Sequence, residues 1–405
     1  MSGVGDLVTR RVREAPENFF VPPAVPVTYD FDQGVPAPEI YPLEDMARYA
    51  AAALEKFGPA ACAYVGDDGY SDLFYGCAGL REVLAERIRA TQGRDLSPLG
   101  VMLFNGSAQG LATVAAAFAE PGDGVIVEAS SFPFMVGYLA ATGAEVVPVP
   151  VDGDGLVVEA AAAALDDLEA RGVRPKLIYT IPTFQVPTGT CMPLERRRRL
   201  VDLAARRNVV VVEDNCYNEL YYDERPPPTL LSLDSSGLVI QSDSFSKMLA
   251  PGLRMGWLAG TPEALGAVAA VRQDLGVSQW LARALQLYLD DGLLDPHLDR
   301  VRAIYTKKRD VALAALRAHC EPHVRYQVPG GGIYFWLELS DDVDWDKVRE
   351  RAAAEGVACR PGERFTGDDS GRRFLRMAFL QVPEDEIERG VAALGRALEA
   401  SRLSG

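Results

Sequence analysis

Short runs of β-branched and aliphatic residues alternate with Ala- and Leu-rich stretches of helical period through the middle of this chain. The runs Val101–Phe104, Gly124–Ala129, Glu145–Val151, Lys176–Thr180, Val209–Asp214, Leu238–Ser244 and Arg254–Gly260 predict strands. The intervening stretches Gly110–Ala119, Phe132–Thr142, Val157–Arg171 and Leu194–Arg207 predict helices. The strands are apolar almost throughout rather than alternating. That pattern fits a sheet covered by helices on both faces, hence a mostly parallel, seven-stranded sheet of the α/β class. Gly- and Asp-rich turns such as Pro121–Gly124 and Asp152–Gly155 separate the elements.

After Thr261 the pattern changes. A long helical region reaches about His319. Strand-like Val324–Val328 and Ile333–Leu339 follow, then a helix near Trp345–Glu355, strands Val357–Arg360 and Phe374–Phe379, and a last helix from Glu384. This order predicts a smaller α+β domain beside the large one. The proline-rich start from Val21 to Pro42 reads as extended chain draped over a surface. The expected division is an N-terminal extended segment over residues 1–40, a large domain over 41–285 and a small domain over 286–405.

A chain of 405 residues is too long for one ordinary core and agrees with two domains. The formal net charge of −16 makes nucleic acid and anionic membrane poor partners, because an acidic surface repels phosphate. The basic run Arg196–Arg199 reads as a solvated helix face. No apolar run reaches the ~20 residues of a membrane helix, and residues 1–20 lack the apolar core of a signal peptide. The six cysteines are scattered without a CxxC pair, which fits reduced thiols in a cytoplasm. His319, Cys320 and His323 stand close together, but no further ligand completes a set, so no metal is expected.

Three segments place polar groups at the ends of predicted strands, where open α/β sheets bind ligands. Ser244-Phe245-Ser246-Lys247, followed by Pro251-Gly252-Leu253-Arg254, gathers two hydroxyls, an ammonium and a guanidinium, a set suited to a phosphate dianion. A lone lysine would ordinarily serve solubility; these neighbours set Lys247 apart. Asn105-Gly106-Ser107-Ala108-Gln109-Gly110 leaves a strand and opens a helix, so backbone N–H groups can approach an anion. A plain glycine turn with a serine cap is the other reading of it. Glu213-Asp214-Asn215-Cys216-Tyr217 ends a third strand and sets Asp214 at its tip, either in the same crevice or as a helix cap.

These segments occur in order with Gly34-Val35-Pro36, Tyr64…Gly69-Tyr70, Ser131-Phe132-Pro133, Pro182-Thr183-Phe184-Gln185-Val186-Pro187-Thr188-Gly189, Pro329-Gly330-Gly331-Gly332 and Leu375-Arg376. Together they resemble the fold-type I pyridoxal-phosphate enzymes. Within these they resemble the class I/II aminotransferases, in the subgroup of 2-aminoadipate, kynurenine and broad-range aminotransferases. The resemblance runs from Phe31 to about Ala397. It implies pyridoxal 5'-phosphate as cofactor, an L-amino acid and a 2-oxo acid as substrates, and a homodimer with shared active sites. Lys247 matches the lysine that holds the cofactor as a Schiff base and, once displaced, moves the Cα proton. Asp214 matches the carboxylate that keeps the pyridine nitrogen protonated, which makes the ring an electron sink. Tyr217 matches the phenol that donates to the ring O3', and Phe132 the ring that stacks on the cofactor. The resemblance gives the phosphate to Ser107, Ala108, Gln109, Ser244, Ser246 and Arg254, joined by Tyr64 of the neighbouring subunit. It gives the substrate α-carboxylate to a bidentate fork of Arg376, with Gly34 and Val186 beside the substrate.

The sequence departs from the family pattern at three places. Val186 stands where the family has an asparagine that bonds O3', which removes a hydrogen bond of ~1 kcal/mol net. Phe74-Tyr75-Gly76-Cys77-Ala78-Gly79-Leu80 intervenes before Arg81, which makes Tyr75 a rival to Tyr64. Ala108 stands where many relatives carry glutamine. The leading expectation is an aminotransferase. Val186 favours the rival, a pyridoxal-phosphate enzyme of another outcome such as elimination, replacement, cyclisation or oxidation, since one scaffold hosts all of these. A transcription regulator with an aminotransferase-like sensor is the reading from another class. It is disfavoured because the Gly34 motif lies so near the start of the sequence.

Overall fold

A computed structural model describes residues 7–9, 26–66 and 68–403. Most of the stretch expected to lack a signal peptide, and the start of the extended segment, lie outside the described residues. Strand β1 (Tyr29–Phe31) comes first. The large sheet then takes β2 (Val101–Phe104), β3 (Asp123–Glu128), β4 (Glu145–Val149), β5 (Arg174–Thr180), β6 (Val210–Asp214), β7 (Val239–Ser244) and β8 (Gly256–Ala259). Their order across the sheet is β2-β8-β7-β6-β5-β3-β4. β8 runs antiparallel to both neighbours, and the other pairings are parallel.

The near-continuous apolar strands have a simple physical origin. Successive side chains of a strand point to opposite faces. Met102, Val125, Leu177, Val212 and Ile240 enter one core with helices α3 (Ser107–Phe118), α4 (Pro133–Ala141) and α7 (Pro262–Val271). Leu103, Ile126, Ile178, Val211 and Val239 enter a second core with α2 (Ala78–Gln92), α5 (Val158–Ala170), α6 (Leu194–Arg207) and α8 (Gln279–Asp290). Both faces are therefore covered, and the sequence expectation of an α/β sheet between helices holds. Helix α1 (Leu43–Phe57) packs on α8.

The long helix α9 (Leu294–His319) leads into the small domain. Its sheet has the order β1-β11-β12-β10-β9, with β9 (Val324–Arg325), β10 (Tyr334–Leu339), β11 (Val357–Pro361) and β12 (Phe374–Ala378). Helices α10 (Trp345–Ala354) and α11 (Glu384–Ala400) cover it. α11 lies close on α9 at Gly395, where an added Cβ would stand 2.2 Å from the His319 carbonyl oxygen. β1 pairs in parallel with β11, so chain from ahead of the large sheet forms one edge of the small one. Phe31 and many small-domain residues share the first core with α3 and α4, so the two domains meet through apolar packing.

One expectation fails. The Arg196–Arg199 run is not simply a solvated helix face. Arg197 is fully buried, and its guanidinium donates to Pro182 O (2.9 Å), Thr183 Oγ1 (2.8 Å) and Met192 O (2.8 Å). Helical period turned this arginine inward, where it supplies donors to carbonyls of the 182–192 loop.

Candidate active site

The site lies at the C-terminal ends of β2, β3, β6 and β7, as an open α/β sheet requires. Behind β2, Gly106 adopts φ +87 and leads directly into α3. A Cβ at Gly106 would meet Arg254 Nη2 at 2.3 Å, so glycine leaves room for that guanidinium. Arg254 itself sits in the left-handed region (φ 46) and donates to Asn105 O at 2.9 Å. This turn delays β8 to Gly256, later than the sequence pattern suggested. Ser107 and Ala108 open α3, so their N–H groups have no acceptor within the helix. Ser244 Oγ bonds Ser246 Oγ (2.8 Å) and accepts from Ser246 N (3.0 Å). Hydroxyls, helix N–H groups and a guanidinium thus converge as a phosphate would need. The Gln109 side chain instead braces the loop, accepting from Asn105 N (2.8 Å) and donating to Asp274.

Asp214 is buried at the tip of β6. Its Oδ2 accepts from Tyr179 Oη at 2.8 Å, whereas its buried Oδ1 has no hydrogen-bond partner among the described residues. Burial raises its pKa; the Tyr179 hydroxyl, Cys216 and the Lys247 charge pull the other way. An orphaned carboxylate oxygen of this kind suits a cationic ring N–H. Lys247 Nζ donates to Gly34 O at 2.6 Å, and Tyr217 Oη lies 3.2 Å from Tyr334 Oη. Burial holds Tyr217 well above the usual phenol range, so it is a neutral donor. Gly34 is required here, because a Cβ would stand 2.1 Å from Tyr334 Oη.

On the small-domain side, Arg376 is buried in β12. One Nη donates to Asp32 O, and its Nε is buried without a hydrogen-bond partner among the described residues. The guanidinium lies over the rings of Tyr334 (4.4 Å) and Phe365 (5.1 Å). Asp32 pairs with Arg360 at 2.5 Å, directly across the strand pair from Arg376. Val186 is buried in the core that also holds Tyr179, Tyr217 and Tyr334. Phe132 caps α4 half-buried, with its ring 5.3 Å from that of Phe134. Tyr64 is 75% exposed, whereas Tyr75 packs on its own chain beneath Arg81.

The structure therefore brings Lys247, Asp214, Tyr217, Gly34 and the phosphate-cup residues to one crevice, and places Tyr64 on the outer surface. Sequence reasoning missed Tyr179, Tyr334 and Arg197. Tyr179 and Arg197 are buried polar side chains in segments read only as strand and helix. Tyr334 follows the Pro329–Gly332 motif closely and was within reach of it. The cup, the orphan oxygen of Asp214 and the lysine beside Gly34 fit pyridoxal 5'-phosphate.

Comparison with known proteins agrees. Residues 68–394 match the family model "Aminotransferase class I and II". The chain is 34% identical to aromatic-amino-acid aminotransferase 1 of Thermococcus litoralis, over 90% of this chain and 87% of the relative. The multiple substrate aminotransferase of Thermococcus profundus superposes with a TM-score of 0.89 at 29% identity, covering 99% of each chain. The alpha-aminoadipate aminotransferase of Thermus thermophilus, solved with N-(5'-phosphopyridoxyl)-L-leucine, gives 0.82 at 33% identity over 98% of this chain and 96% of its own. These relatives favour transamination over the elimination, replacement, cyclisation or oxidation that Val186 had raised. The chain belongs to the class I and II aminotransferases and is a pyridoxal-phosphate-dependent transferase.

Proposed function

We propose that this crevice exchanges an amino group between an L-amino acid and a 2-oxo acid, with Lys247, Asp214 and Tyr217 as its catalytic residues. When bound, the cofactor carries the amino group and draws electrons from the substrate Cα into its ring. The observation that carries the assignment is the buried, unpartnered Oδ1 of Asp214, beside an oxygen already bonded by Tyr179. Asp214 holds a proton at the ring nitrogen, and Tyr179 keeps its carboxylate in one rotamer. Tyr217 donates to the ring oxygen. Lys247 would hold the cofactor covalently, and its amine, when free, would be the base for the proton on the substrate Cα. Ser107, Ala108, Ser244, Ser246 and Arg254 hold the phosphate, Gln109 stabilises their loop, and Phe132 stacks on the ring. Arg376 reads the substrate α-carboxylate with its unpartnered Nε, and Gly34 and Val186 border the substrate.

The same reading includes a homodimer. Leu54, Tyr64, Tyr70, Phe74, Leu275 and Trp280 are exposed apolar side chains on α1, α8, the short helix Ser71–Tyr75 and neighbouring loops. The Trp280 Nε1–H bond to Ala50 O (2.7 Å) ties the two helices together. Such a surface fits a partner subunit. Exposure favours Tyr64 over Tyr75 as the residue that reaches the neighbouring phosphate. Residues 41–285 form the cofactor domain in this reading, 286–405 the small domain, and 1–40 the segment that precedes them. The six free thiols fit a cytoplasmic setting. The test is a spectral screen of the purified holoenzyme. A true amino donor bleaches the visible cofactor band, and a 2-oxo acid restores it. Failure of every proteinogenic amino acid to bleach the band would sink the proposal.

A further inference from the structure

Glu128 ends β3 and is 1% exposed. No step proposed above uses it. Its Oε1 accepts from Thr180 Oγ1 (2.6 Å) and Ile181 N (3.1 Å), and its Oε2 from Gln185 Nε2 (2.9 Å). Gln185 is fully buried and passes the constraint on. Its Nε2 also donates to Ser130 O at 2.6 Å. Its Oε1 accepts from Thr188 N (2.9 Å) and Thr188 Oγ1 (2.7 Å). Its backbone closes the turn through Gln185 N to Thr190 O (2.9 Å) and Gly189 N to Gln185 O (2.7 Å).

Two parts of the cofactor site hang on this amide. One is the turn from Phe184 to Gly189, which contains Val186. Phe184 enters it at φ 51 and packs so tightly on the small domain that a Cβ at Gly331 would lie 2.3 Å from its ring. The other is the Ser130–Phe132 segment. Ser131 N donates to Phe365 O (3.1 Å), and the Phe365 ring lies beside the Arg376 guanidinium. Once ionised, above the pKa of about 7 to which burial raises it, the carboxylate offers acceptors only, and all three of its partners are donors, so the match depends on its chemistry and not only on its volume.

We propose that Glu128 is a positioning residue of the cofactor site: through Gln185 it fixes the Val186 turn and the Phe132 segment to one another beside the crevice. The inference rests on the cofactor occupying that crevice as described under the proposed function. Glu128→Gln keeps the shape and the Thr180 and Ile181 bonds but points an NH2 group at Gln185 Nε2. Two donors then face each other, and Gln185 must turn and lose Thr188 or Ser130. Gln185→Glu makes the opposite conflict, acceptor against acceptor. The double variant E128Q/Q185E restores one donor–acceptor pair.

The readouts are the visible circular dichroism of the bound cofactor, which reports how the site holds it, and its release rate on dilution. Both are compared with the thermal melt of the cofactor-free protein. E128Q and Q185E are each expected to change the dichroic band and release cofactor about tenfold faster, the effect of one buried polar group left unpaired. The double variant is expected to recover part of both. A band and release rate equal to wild type in E128Q and Q185E overturn the role of Glu128. So does a double variant whose losses are the sum of the single ones, which marks a merely structural effect. Borohydride reduction of the wild type separates this from the reading beneath it. An adduct away from Lys247 overturns the site and the inference together. An adduct on Lys247 with unchanged variants overturns the inference alone.

Discussion

Asp214→Asn probes the site with the least disturbance to the fold. The amide keeps the shape, and its oxygen still accepts from the Tyr179 hydroxyl, now 2.8 Å from Oδ2. What it loses is the charged acceptor at Oδ1, the atom without a partner in the structure. Hydrogen bonds to charged groups contribute about 1.5–3 kcal/mol. At about 1.4 kcal/mol per decade, kcat/KM should fall roughly 10- to 150-fold. Stability should move the other way. Burial penalises the ionised carboxyl of Asp214, and a neutral amide avoids that penalty. The cofactor-free variant should therefore melt no lower than wild type. Asp214→Ala should differ, because it strands the buried Tyr179 hydroxyl, at a cost of about 1–3 kcal/mol. Steady-state kinetics with an identified donor and differential scanning of the cofactor-free proteins provide the numbers. A loss under tenfold in Asp214→Asn refutes the role. So does a loss that tracks a lowered melting temperature, since a structural defect would then explain it.

Lys247→Ala should lose the covalent link, and peptide mapping of reduced wild type should find cofactor on Lys247; an adduct on another lysine refutes this. Mixing Lys247→Ala with Tyr64→Ala should restore some activity through hybrid sites, and a fully active monomer in sedimentation would exclude a shared site. Valine cannot donate to O3', so Val186→Asn should lower the pH midpoint of the visible band and raise the transaminase rate. If neither moves, Val186 is a packing variant. Burial raises the Glu128 carboxyl from the ordinary 4.5 to about 7. The folded chain thus holds a proton that the unfolded chain releases, so this contribution is full below 4.5 and is lost as pH rises through 7. The difference is about 3 kcal/mol at 1.36 kcal/mol per unit. Urea titrations of the cofactor-free protein between pH 4.5 and 8 should show that decline in wild type and a flatter one in Glu128→Gln; parallel profiles refute it.

The sheet was legible because its strands are buried on both faces and read as apolar runs. Element ends were less so. Helix α3 starts at Ser107 rather than Gly110 because Gly106 can adopt φ +87, a conformational event that hydrophobic period does not record. β1 has three residues and a partner far away in sequence, so no local pattern marks it. The grouping of Lys247, Asp214 and Arg254 at strand ends was legible because small and charged residues cluster there in short motifs. Arg197, Tyr179 and Glu128 were not, since a buried polar residue looks in sequence like any other polar position. Only the carbonyls, carboxylates and amides facing them reveal the difference.

The pairing of β1 with β11 joins residues more than 300 positions apart. The small sheet is thus discontinuous in the chain, with the large sheet inserted between its first strand and the rest. During synthesis, the sheet that carries Arg376 stays open at one edge until β11 has emerged, and closing so long a loop opposes the pairing. Asp32, whose carbonyl receives the Arg376 guanidinium, follows directly on β1. The bond between Arg376 and Asp32 is therefore among the last features of this molecule to form. A nascent chain carrying a finished large sheet still lacks the seat of this guanidinium.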